Sequence, residues 1–258
     1  MAVNIDDVYQ KVLVLTNKEQ RGHITPLEFN LLANKAQFDI YESYFHDLKT
    51  AYHKPKHNYV AADESDNIKA KLHPFIKDEE ISINSDTTQE NSHALPGDLH
   101  KIDVIRLKTP IGKPPDITYR TVILEEVDQK TAAYAEMHPL LKATKDRPVY
   151  SRIKSGWYAA PRIAFYPDPT LESATTQALY TYNASYWRRP NDPKWAYVIV
   201  NGKALYNQGL SVNFQLHASE EEPLVTRILQ LAGVVIKSPQ LVEAAMVDNA
   251  NTKREQND

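Results

Sequence analysis

Along residues 24–48, ITPLEFNLLANKAQFDIYESYFHDL, apolar positions recur at steps of three and four, which predicts one long helix. Thr25 stands at the N-cap, Pro26 in the first turn and Glu28 three residues after the cap, the arrangement of a capping box. Phe29, Leu32, Ala36, Ile40 and Tyr44 fall on one side of this helix. Leu27, Leu31, Phe38, Tyr41 and Phe45 form a second stripe roughly opposite. A rod of this span is about 35 to 40 Å long at ~1.5 Å per residue, and two apolar sides need cover from more than one neighbour. The second stripe is therefore the candidate oligomer interface.

The pattern on either side of the rod assigns the rest of the chain. Residues 4–17 predict a first helix with Ile5, Val8, Tyr9, Val12 and Leu15 on one side and Asn4 or Asp6 near its start. With a break at Gly22, residues 1–52 read as a helical hairpin. Residues 53–94 read as a polar loop or extension. Within it only KLHPFIKDEEISIN, where Ile81 and Ile83 alternate and Pro74 blocks a helix, predicts a short strand pair.

Over 95–217 the apolar residues turn β-branched and aromatic, in LPGDLHKIDVIRL, ITYRTVILEE, PRIAFYP, QALYTYNASYW, WAYVIV and LSVNFQL. Turn formers separate them, as in Thr109-Pro110-Ile111-Gly112 and Tyr166-Pro167-Asp168-Pro169. Asp128 is placed to cap a short helix, QKTAAYAEM. Residues 218–247 return to helix: Ser219 to Glu222 read as a second capping box, Leu224, Val225, Ile228, Leu229 and Ala232 as its apolar stripe, and Ser238-Pro239 as the start of another helix. Residues 248–258 form a polar tail. The expected fold is α+β: N- and C-terminal helices forming a small bundle, with a mostly antiparallel β-domain inserted between them.

Composition narrows the function classes. The chain has 258 residues, 42% of them apolar, and a net charge of only -3, so wholesale binding to nucleic acid is not indicated. It has no cysteine, which removes disulfides and thiolate metal sites. No apolar run reaches the ~20 residues of a membrane helix, and MAVNIDDVYQ has neither a basic start nor an apolar core of a leader, so a cytoplasmic origin is expected. Seven glycines leave little for a dinucleotide loop, and no phosphate loop, H-E-x-x-H or G-x-S-x-G run is present. His53 and His57 have helical spacing, but Pro55 lies between them and no carboxylate follows at ligand spacing. The acidic runs Asp63-Glu64, Asp78-Glu79-Glu80 and Glu220-Glu221-Glu222 offer carboxylates without a motif to join them. The expectation is no enzyme, no cofactor and no metal.

TNKEQRGHITPLEFNLLANKAQFDIYESYF, residues 16–45, resembles the N-terminal segment of a family of virion proteins from short-tailed phages, especially the crAss-like phages. Residues 211–245, SVNFQLHASEEEPLVTRILQLAGVVIKSPQLVEAA, resemble the end of the same family. The resemblance implies a ring-forming subunit of the head-to-tail connector, commonly twelve-fold, assembled in the host bacterial cytoplasm and located in the virion between portal and tail. Its implied partners are copies of itself, the portal protein and other connector or tail proteins, with packaged DNA passing through the lumen without sequence readout and no membrane involved.

A reading from a different class rests on aromatic residues. Trp187, Arg188, Arg189 and Lys194 put cations beside rings and are candidate partner or nucleic-acid contacts, although solvated or paired arginines beside packed rings are the commoner arrangement. Tyr180, Tyr182 and Tyr186 share one strand face, which would suit a carbohydrate if it were exposed and is usually covered. The alternative is thus a binding module for glycan or single-stranded nucleic acid.

Overall fold

The computed structural model describes residues 3–18, 24–53, 59–83, 91–111, 118–153, 161–169 and 180–235. The readings at Gly22, Pro55, His57, Gly112, the Ser238-Pro239 helix and the tail lie outside the described residues. The chain forms an α+β fold of two compact units: Phe75–Arg189 is inserted into a helical unit made of Met1–Pro74 and Pro190–Asp258.

The helical unit holds α1 (Ile5–Lys18), α2 (Pro26–His53), α3 (Tyr59–Leu72) and, from the far end of the chain, the helix Glu221–Val235. That last helix packs on α1 and α2, and α3 packs on α2. The capping box forms as the spacing requires: the Thr25 amide donates to Glu28 Oε2 at 2.9 Å and the Glu28 amide to Thr25 Oγ1 at 3.3 Å. Asn4 caps α1, accepting the Asp6 amide at 3.0 Å.

Helix α3 falls where loops are expected. Its apolar stripe is weak, with Leu72 alone fully buried among its side chains described, so periodicity does not reveal it. YVAADESDNIKAKL nevertheless has no glycine or proline, is rich in good helix formers, and places Lys69 and Lys71 in the last turn beside the negative end of the macrodipole.

The second capping box also differs from expectation. A 3-10 turn, Ala218–Glu220, precedes the helix, and His217 Nδ1 accepts the Ser219 amide at 3.3 Å. Glu220 is buried instead and pairs with Lys71 Nζ at 2.6 Å.

The inserted unit is a seven-stranded sheet of β1 (Ile76–Ile81), β2 (His93–Ala94), β3 (Leu99–Ile111), β4 (Thr118–Glu126), β5 (Val149–Ile153), β6 (Arg162–Tyr166) and β7 (Thr181–Arg188). The spatial order is β1-β7-β3-β4-β5-β6-β2. Every pair is antiparallel except β4 with β5, which the crossover through α4 (Gln129–Met137) makes parallel. Asp128 is the N-cap of α4 by position but makes no side-chain cap bond. Ile105, Ile163, Phe165, Ala184 and Tyr186 are fully buried in this unit's core.

The boundaries of the insertion move relative to the expected 95–217. Its first strand, β1, pairs with β7 in the register Ile76↔Trp187 to Ile81↔Tyr182, so entry and exit of the insertion lie side by side. Strand β3 runs through Thr109 and Pro110 rather than turning there. Among the described residues its register beyond Lys108 is with β4 alone, so Pro110 stands where one side of the strand has no described partner, the edge position at which proline is tolerated. Residues 190–217 belong to the helical unit. They hold the hairpin β8 (Tyr197–Val200) and β9 (Lys203–Tyr206), and the expected strand LSVNFQL is irregular apart from a bridge at Val212.

Candidate assembly surface

Two amides on α2, two helical turns apart, hold the 190–217 segment. Asn30 grips the Trp195 backbone on both sides, accepting its N–H at 2.7 Å and donating to its carbonyl at 3.1 Å. Gln37 donates to the Asn191 carbonyl at 2.8 Å and accepts the Gln215 amide at 2.9 Å. At the start of α1, Asn213 Oδ1 accepts the Ile5 amide at 3.2 Å. Side-chain amides thus replace the ladder a strand would have supplied, which is why LSVNFQL is not a strand.

Trp195 is the anchor of the segment. Its ring is buried, its Nε1–H donates to Asp6 Oδ1 at 2.9 Å, and Tyr9 lies 4.3 Å from it, centroid to centroid. Burial, then the Asp6 carboxylate, then Tyr197 push the Tyr9 hydroxyl above its ordinary pKa, so Tyr9 enters the ring cluster as a neutral phenol. Tyr197 and Tyr206, the first and last residues of the hairpin, stack on the Trp195 ring at 5.7 and 5.8 Å. The base of the hairpin is fixed in this way.

Beyond the base the hairpin faces solvent. Tyr197, Val198, Ile199 and Val200 are all exposed, Ile199 by 69%, and Leu205 opposite them is exposed as well. The turn is Asn201-Gly202, both at positive φ (49° and 75°), the tight type that matches strand twist. A two-stranded sheet alone is marginal in water, and an exposed apolar patch is the kind of surface that marks interaction sites in folded proteins.

The sequence-derived interface stripe divides. Leu27 and Leu31 are exposed by 66% and 64%. They flank Asn30, the residue that holds the start of the hairpin segment. Tyr41 is fully buried and carries Phe45 edge-on at 5.2 Å and Phe38 at 6.4 Å, the latter two being half-buried. Tyr41 is therefore core rather than interface, because the buried side of α2 rotates along its length from Phe29 toward Tyr41.

Trp187, Arg188 and Arg189 end the inserted unit, and Lys194 belongs to the helical one. Lys101 Nζ lies 5.7 Å over the Trp187 ring and the Arg188 guanidinium 5.8 Å over Phe75. The Arg189 amide donates to the Asp98 carbonyl at 2.7 Å, and exposed Lys194 pairs its backbone with Val212. Tyr182 and Tyr186 are buried, so the tyrosine face is core and offers no platform to a sugar.

Of the acidic runs, Glu220 pairs with Lys71 and Glu79 is engaged within the inserted unit, while the side chains of Asp63 and Glu64 lie outside the described ones. Tyr186 Oη lies 2.9 Å from both Glu79 Oε2 and Asp98 Oδ1, and Lys77 Nζ lies 2.9 Å from Glu79. Lys77, then the tyrosine, hold the Glu79 carboxyl below its ordinary value. Among the described residues no three His, Asp or Glu side chains are grouped to hold a metal ion, and no helix is long and apolar enough to cross a membrane.

The inserted unit has an apolar surface of its own: Tyr134 and Met137 on α4 and the following Leu140 and Leu141 are exposed, Leu140 by 99%. Sequence patterning identifies YVIV as a strand but not as an uncovered one, because an all-apolar strand ordinarily signals burial on both faces. No protein-family model matches the chain, and no curated protein sequence matches it.

Proposed function

We propose that the chain is a structural subunit that is completed by assembly, a ring-forming component of a phage head-to-tail connector between portal and tail. The single observation that carries assembly is the rigidly based hairpin whose apolar residues Val198, Ile199, Val200 and Leu205 face solvent. The connector assignment is carried by the resemblance of residues 16–45 and 211–245 to that phage family. The residues of the first stretch support the reading from a second direction. Thr25, Glu28, Asn30 and Gln37 are occupied in building the subunit, which leaves Leu27 and Leu31 as the part directed outward.

The activity is mechanical. Head-to-tail contacts between copies close a ring, the exposed α4 region of the inserted unit docks a neighbouring connector or tail protein, and DNA passes the lumen without base readout. No chemical step is assigned to the chain. Negative-stain microscopy and light scattering of the purified protein, alone and with portal, test this: rings or portal-dependent assemblies are expected. A protein that remains a monomer beside portal and is retained on an immobilised glycan or oligonucleotide would replace this reading with the binding-module one.

A further inference from the structure

The hairpin has two open edges, since no strand among the described residues pairs with β8 or β9 except each other. The Asn201-Gly202 turn makes Val200 and Lys203 the closing pair, and the Asn207 amide donates to the Ala196 carbonyl at 2.9 Å. Antiparallel ladders alternate between bonded and non-bonded pairs. The internal bonds therefore fall at Val200–Lys203, Val198–Leu205 and Ala196–Asn207, and the backbone groups of Tyr197 and Ile199 point out of one edge while those of Ala204 and Tyr206 point out of the other.

The chain guards a different edge and leaves this one unguarded. At the margin of the large sheet, β1 carries Lys77, Asp78, Glu79 and Glu80, the charged dressing that keeps foreign strands away. Strand β8 carries no charge and β9 only Lys203, so a second copy meets no like-charge barrier along the outward pairs.

We infer that the Tyr197–Ile199 edge of one copy pairs with the Ala204–Tyr206 edge of the next, joining successive hairpins into one continuous sheet around the assembly. This rests on the ring reading and names its contact. The occupant is another copy of this chain because the hairpin has two edges of equal length, four residues each. A single foreign strand covers one edge and leaves the other open, whereas head-to-tail copies cover both with one contact. Rotational symmetry makes every β8 run the same way, so β8 meets its neighbour's β9 antiparallel, the pairing already present inside the hairpin. Closure then leaves no edge, as in a barrel.

Proline at Ile199 or at Ala204 removes an outward N–H and spares the internal ladder. With the full chain in sedimentation velocity, I199P alone and A204P alone are expected as single copies. Their mixture is expected to stop at dimers, because each supplies the one edge the other lacks. A second test needs no proline: the chain has no cysteine, so a mixture of I199C and A204C is expected to give an oxidised dimer that neither gives alone. Rings formed by both proline variants as readily as by the wild type would overturn the edge contact and leave the ring reading standing. Dimerisation of A204P alone would overturn the head-to-tail pairing in favour of a two-fold one. A wild type that stays single with and without portal would overturn the ring reading and the edge contact together.

Discussion

His93 on β2 is fully buried, and its ring stacks on Phe165 at a centroid distance of 5.0 Å. Burial lowers its pKa from 6.5 to about 4, with Asp168 opposing and Arg162 adding to the effect. A folded-state pKa below the unfolded one means that protons favour the unfolded chain. Stability is thus full above pH 6.5, falls as pH drops toward 4, and loses on the order of 3 kcal/mol over that window at 1.36 kcal/mol per unit. Urea midpoints of wild type and His93→Gln between pH 7 and 4.5 check this; the wild type is expected to fall more steeply, and parallel slopes would refute it. Sequence reasoning does not find this histidine, because a two-residue strand carries no periodicity. It does find Thr25 and Glu28, whose partners are three residues apart, and it misses Asn30 and Gln37, whose partners lie more than 150 residues away.

At the scale of elements, α2 divides its work by turn. Its inner positions build the bundle, and Leu27 with Leu31 remain exposed. Leu27→Glu with Leu31→Glu is expected to abolish ring formation while shifting stability by less than about 1 kcal/mol, as exposed substitutions do. Microscopy and a denaturant melt read the two effects separately, and a large loss of stability would place these leucines in the subunit's own packing. Strand and helix types were legible wherever a period repeats, as in α1, α2 and β7. Allegiance was not legible: WAYVIV reads as part of the β-domain because its composition matches, while the amide of Asn30 assigns it to the helices. Helix α3 escaped for the opposite reason, being a helix by propensity with little apolar face.

For the whole molecule, the insertion is defined by Pro74 and Pro190, which border Phe75–Arg189 on either side. Its first and last strands are neighbours, and the residues of its core cluster all lie within 75–189. Residues 75–189 produced alone are therefore expected to fold cooperatively, and residues 1–74 joined to 190–258 by a short Gly-Ser linker are expected to keep their helical circular dichroism. Failure of the first piece to show a cooperative melt would mean that its core is completed from outside.

The Ile76↔Trp187 pairing also fixes how the insertion answers to tension. A pull passed along the chain through its two joints reaches adjacent strands at the same end, so it peels rungs apart in succession instead of shearing them all at once. Under such a load the acidic margin strand parts from β7 rung by rung, starting at Ile76 and Trp187.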